Sequence, residues 1–193
     1  VSPVLRFTLT YVAAFTTFSV AAGDRRIVAY LIVLGVLGAA AHAIHRRVRF
    51  SPTVQWALAT AGLLHLTGGL LPGHPIFYET WLVPGVLKYD QVVHFTISAV
   101  ATVAAAHMFR GRLRPAVALA LALGLANEVF EALSAARFAD AYAGALTNTA
   151  WDLVFNSFGV AAAAVYLYGL PRGRTTSMYS DVTAMRISRN TTG

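Results

Sequence analysis

The chain has 193 residues, 57% of them hydrophobic and only 12% charged, with a net charge of +7 and no cysteine. Soluble domains carry about 25% charged residues, so this composition leaves too little polar surface for a water-soluble globule. The lack of cysteine excludes disulfides, thiolate metal ligands, a cysteine nucleophile and lipoprotein-type acylation, and the positive charge lies in short loops and a tail rather than on a basic helix with interleaved aromatics, which argues against nucleic acid as a partner.

Taken in chain order, six apolar stretches have the length that crosses a hydrocarbon core as a helix, roughly 17–25 residues. They are Val4–Ala22, Ile27–Ile44, Pro52–Leu71, Tyr89–Phe109, Pro115–Ala136 and Trp151–Leu170. Helices are required because lipid cannot satisfy free backbone polar groups. The expected fold class is therefore all-α, a six-helix transmembrane bundle over residues 1–170. Val20-Ala21-Ala22 offers a small-residue cleavage pattern, but Arg6 is a thin basic region and the apolar stretch is long for a signal peptide, so the first span reads as a retained helix.

The connections agree with these spans. Gly23-Asp24-Arg25-Arg26 is a tight turn, and Arg46, Arg47 and Arg49 form a basic loop before Ser51-Pro52, an N-cap followed by proline at the first helical position. Residues 72–88 contain three prolines and two glycines, with Phe77, Tyr78 and Trp81 suited to a membrane–water interface; a re-entrant or surface-lying segment fits them. A second basic loop holds Arg110, Arg112 and Arg114. Residues 171–193 are polar and aperiodic and read as a flexible tail. Eleven of the fifteen Lys and Arg residues fall in the N-terminus, the second and fourth loops and the tail. The positive-inside rule then places both termini in the cytoplasm, which implies the cytoplasmic (inner) membrane and lipid as the surroundings.

Four of the eight acidic residues lie inside the predicted spans: Asp90, Glu128, Glu131 and Asp152. Ionisable groups within a membrane are costly and point to function by default. Helical spacing of three or four groups them with other polar residues, because such positions share a face. Asp90 pairs with His94, Asn127 and Glu128 lie beside Glu131, and Asn148, Asp152 and Asn156 recur every four positions. His65 joins the third span, followed by Gly68-Gly69, where another backbone has room to approach. These residues sit near the ends of spans three and five and the starts of spans four and six, so alternating direction brings them to one side of the membrane, within about 12 Å of its edge. His42, His45 and His107 belong to the opposite side, and His74 in the third loop lies within reach of the cluster.

No Arg or Lys shares these polar turns, so four carboxylates need a bound cation, shared protons or charged histidines. A divalent metal held by Asp90, His94, Glu128, Glu131 and Asp152 follows the logic of metal sites between facing helices. The same side chains also fit a second role, hydrogen-bonded glue between the helices of a structural accessory membrane subunit. A third possibility, an ion-coupled transporter, is disfavoured by the lack of a matching polar path in the inner halves of spans three to six.

Three blocks carry a family resemblance: Tyr89-Asp90-Gln91-Val92-Val93-His94-Phe95, Asn127-Glu128-Val129-Phe130-Glu131, and residues 148–159 with Asn148, Asp152, Asn156 and Gly159. Together they resemble the YjdF-type inner-membrane proteins, a family with no assigned activity, and more distantly VanZ-like proteins. The VanZ-like pattern implies a role in the cell envelope and a lipid-linked substrate, although Gln91 stands where those proteins have lysine.

Overall fold

A computed structural model describes residues 1–71, 76–137 and 145–170; for 134–137 and 145–147 it gives the backbone alone. Among the described residues there are six α-helices: α1 (Pro3–Ala21), α2 (Arg26–Val48), α3 (Pro52–Leu70), α4 (Tyr89–Met108), α5 (Leu113–Arg137) and α6 (Ala145–Gly169). All but α3 are long and apolar enough to cross a membrane. α3 carries Gln55, His65 and three threonines, and its neighbours bury seven of its residues. The chain is thus a multi-pass helical membrane protein.

The helix boundaries have local causes. Ser2 and Ser51 accept hydrogen bonds from the amides of Leu5 (3.2 Å) and Val54 (3.4 Å), and each precedes a proline at the first helical position. Gly23, at φ +69°, lets the chain turn between α1 and α2. The Gly111 amide reaches back to the Ala106 carbonyl (2.8 Å) with Gly111 at φ +81°, closing α4 in the manner of a Schellman cap. α6 begins at Ala145, six residues before the expected span, so Asn148 lies inside the helix.

Residues 76–88 form a small cap on the bundle. Phe77–Glu79 make a 3₁₀ turn, and β1 (Trp81–Val83) pairs antiparallel with β2 (Leu87–Lys88). The strands meet at Val83-Pro84-Gly85-Val86, where Gly85 has φ +71° and the Val86 amide donates to the Val83 carbonyl at 3.0 Å. Proline then glycine at the two central positions is the signature of a type II turn. The expected third-loop segment is therefore a hairpin. His74 and the tail lie outside the described residues.

Helix α4 is the centre of the bundle, packing most extensively on α6, then on α5 and α3. Its close approach to α6 depends on Gly159. A Cβ there would lie 3.0 Å from the Phe95 carbonyl carbon and 3.1 Å from the Ala99 amide nitrogen, both backbone atoms of α4. Tyr11, Ile27, Leu66 and Leu70 form one apolar core between α1, α2 and α3. Ala105, Ala106, Ala116 and Leu167 form another at the opposite end of α4. α2 is peripheral, with Ile27 its one buried residue, and Val28, Ile32, Val36 and Leu37 turned outward. Large apolar side chains on the outside suit contact with acyl chains.

Candidate carboxylate–histidine centre

The polar cluster forms between α4, α5 and α6, toward the end of the bundle where α4 and α6 begin. His94 is its hub. The first turns of α4 stack His94 above Asp90, with Nε2 3.4 Å from Asp90 Oδ1 and 3.9 Å from Asp152 Oδ1 of α6. On the other edge of the ring, Nδ1 lies 3.4 Å from Glu128 Oε1 of α5 and 3.3 Å from Asn156 Oδ1 of α6. The elements that deliver these groups pack tightly, so the cluster is interior: Asp152 is 0% exposed, Glu128 2% and His94 8%.

The surrounding polar groups fix the orientation of some members and leave others free. Asn148 Nδ2 donates to both aspartates, to Asp90 Oδ2 at 3.3 Å and Asp152 Oδ2 at 2.5 Å. Ser98, one turn beyond His94, donates to Asn156 Oδ1 at 2.6 Å. Asn156 in turn sits against Gly124, which has no side chain to displace it. By contrast, both oxygens of Glu128 and Oδ1 of Asp152 are buried and have no hydrogen-bond partner among the described residues. Leaving an ionised carboxylate buried without compensation costs several kcal/mol.

Of the nine residues singled out from the sequence, six meet in this interior set: Asp90, His94, Glu128, Asn148, Asp152 and Asn156. Glu131 and Asn127 are exposed on α5 and bond each other, Asn127 Nδ2 donating to Glu131 Oε1 at 2.7 Å. A Glu131 oxygen still reaches close to the hub: two groups, Asp90–His94–Asp152 and His94–Glu128–Glu131, each bring their ligand atoms within 4.8 Å of one another. His65 stands apart in a second cluster. Its Nδ1 lies 2.6 Å from the Tyr78 hydroxyl, which also contacts the His65 carbonyl at 3.0 Å, and the Tyr30 ring packs 5.0 Å away.

Several features run against the sequence expectations. Gly68 and Gly69 receive not another backbone but the Tyr78 ring and the Tyr30 phenol. Tyr78 therefore points inward from the cap instead of lying at the interface. Burial, reinforced by Tyr30 and by the charges of Asp90 and Glu131, raises the Tyr78 phenol well above the usual tyrosine range. Lys88, the basic residue nearest the cluster in sequence, is held by Glu79 (2.9 Å) and lies over Trp81. Ser98 joins the cluster, a role visible in its spacing of four from His94. Finally, α4 buries Thr102 and His107 as well, so its inner half is more polar inside than expected.

The fold and the cluster define a class: a polytopic helical membrane protein with a buried carboxylate–histidine centre. The chain belongs to the family described as Predicted membrane protein (DUF2238), whose model matches residues 3–173. Neither the comparison with curated proteins nor that with solved structures found a match.

Proposed function

We propose that this is a cell-envelope protein of the cytoplasmic (inner) membrane, with both termini in the cytoplasm, that holds a divalent cation in the Asp90, His94, Glu128, Glu131 and Asp152 cluster and presents it to a lipid-linked or phosphate-bearing substrate. One observation carries the reading: buried carboxylate oxygens of Glu128 and Asp152 lack hydrogen-bond partners among the described residues and converge with Asp90 on a single imidazole. Three carboxylates around one histidine leave an excess of negative charge even when the ring is protonated. A divalent ion offsets that excess and, with open coordination positions, polarises a phosphoryl oxygen or activates water. The likeness of the three sequence blocks to VanZ-like proteins supports an envelope substrate.

The test is thermal unfolding of the purified protein in detergent and in lipid, with and without Mn²⁺ or Zn²⁺. Binding to the folded state alone stabilises it by about 2.7 kcal/mol when the ion is at a hundred times its Kd. The stabilisation should be present in wild type and weakened in Glu131→Gln and Asp152→Asn. If metal has no effect on wild type and the amides are neutral, the cluster is interhelical glue.

A second reading, ion-coupled transport, is favoured by the buried polar face of α4, which carries Gln91, His94, Ser98 and Thr102. That face extends about 17 Å along the helix, little more than half of a hydrocarbon core of about 30 Å. Against it, the Thr102 hydroxyl is spent on the Ser98 carbonyl (2.8 Å), and Ala104, Ala105 and Ala106 separate it from His107. Proton or Mn²⁺ flux into liposomes containing the protein, lost in Asp152→Asn, would establish transport.

A further inference from the structure

The two edges of the His94 ring are not equivalent, and the difference selects a metal seat within the cluster. Asn148 binds the Oδ2 atoms of Asp90 and Asp152 together. This single amide turns the two remaining oxygens, both Oδ1, toward His94 Nε2. Three ligand atoms from α4 and α6 therefore converge, and one of them, Asp152 Oδ1, is buried with no hydrogen-bond partner among the described residues. The opposite edge is already engaged. Asn156 Oδ1 accepts from Ser98 and lies 3.3 Å from Nδ1, where an Nδ1–H hydrogen would bond it. A neutral imidazole protonated on Nδ1 has its lone pair on Nε2, the nitrogen that faces the two aspartates.

We infer that the cation is seated by Asp90 Oδ1, His94 Nε2 and Asp152 Oδ1, and that Asn148, Glu128, Asn156 and Ser98 position these ligands without touching the ion. Glu128 then lies beside the Nδ1–H edge as a carboxylate that strengthens His94 as a ligand, the arrangement in which a metal-bound histidine gives its other N–H to an acceptor. Glu131, exposed and held by Asn127, stays outside the seat but near enough for its charge to act on the ion, so Glu131→Gln weakens binding without abolishing it. Three protein ligands leave coordination positions open, as a site that meets a substrate oxygen requires. The ligands are mixed nitrogen and oxygen donors without sulfur, which suits Mn²⁺, Fe²⁺ or Zn²⁺.

This assignment rests on the cation-site reading above, and its failure is distinguishable from failure of that reading. The experiment is Mn²⁺ and Zn²⁺ binding to the intact detergent-solubilised protein, measured by calorimetry for wild type and variants. Asp90→Asn and Asp152→Asn should lose binding. Glu128→Gln should keep one ion per chain with affinity reduced about 10- to 100-fold, the usual cost of losing an outer partner. Asn156→Asp keeps an acceptor facing Nδ1 and should bind near wild type, whereas Asn156→Leu should weaken binding as Glu128→Gln does. The partition is overturned if Glu128→Gln abolishes binding while Asp152→Asn retains it, if all the carboxylate variants lose it equally, or if wild type takes up two ions. No uptake by wild type overturns the broader reading instead. Should a variant fail to fold, anomalous scattering from Mn²⁺ in wild-type crystals decides directly, since an ion on the Nδ1 edge of His94 contradicts the assignment.

Discussion

Replacing Gly159 with alanine tests whether the approach of α4 to α6 builds the centre. Two effects oppose each other. Alanine is favoured over glycine inside a helix by about 1 kcal/mol. The new Cβ, however, would sit 3.0 Å from the Phe95 carbonyl carbon and closer still to its oxygen. The obstructing atoms are backbone, so no rotamer change relieves the clash and the helices must part. Overpacking costs about 1–3 kcal/mol, and a backbone obstruction belongs at the upper end. The steric effect should therefore win, leaving a net loss of about 2 kcal/mol. Phe95 follows His94 and Gly159 lies one turn beyond Asn156, so separation here also stretches the 3.3 Å contact between them. Equilibrium unfolding in mixed detergent micelles measures the stability, and divalent-ion affinity reads the site. Gly35→Ala is the control, because nothing lies within 4 Å of a Cβ there; it should be neutral or stabilising. A Gly159→Ala protein as stable as wild type, or gaining as much as Gly35→Ala, would refute the packing argument.

Tyr78→Phe removes the hydroxyl that bonds the His65 ring and carbonyl. It should cost about 1 kcal/mol and speed hydrogen exchange of the amides in residues 76–88; unchanged exchange would mean that the cap is held by other contacts. With cysteine absent from the chain, Gly111→Cys should resist an impermeant thiol reagent in intact cells while Gly73→Cys reacts, and the reverse pattern would invert the topology. The Arg26 guanidinium beside Asp24 holds its carboxyl below the usual aspartate value. A depressed folded-state value contributes stability above about pH 3.9 that is lost as pH falls through the folded midpoint. An NMR titration of Asp24 should accordingly give a midpoint below 3.9, moving up toward it in Arg26→Gln, and an unmoved midpoint in that variant would remove the ion pair as the cause.

Much of the fold was legible because lipid imposes simple demands. Runs of apolar residues, Ser-Pro starts and glycine-containing turns marked the helices to within a few residues, save α6, whose first turns include Asn148 and Thr149. Charged and amide side chains within those runs, at spacings of three and four, pointed to Asp90, His94, Glu128, Asp152 and Asn156. That they share one side of the bundle followed from alternating helix direction alone. What spacing could not supply was pairing across helices. The burial of Glu128 beside the exposure of Glu131, three residues away, depends on how α5 is rotated. Tyr78 looked interfacial because its inward turn depends on the space that Gly68 leaves on a different helix. The hairpin was hidden because two or three residues per strand are too few for a periodic signal, although Pro84-Gly85 marks its turn. His65 shares the cluster's side of the bundle, but its partners are the cap and α2.

The central claim is that the carboxylate–histidine centre holds a divalent ion, and metal analysis of the wild-type protein tests it most directly. Protein solubilised from membranes without chelator, then stripped and dialysed against Mn²⁺ or Zn²⁺, should take up one ion per chain, and Asp152→Asn should take up none. Wild type that binds no ion from either solution, while remaining folded, would contradict the claim.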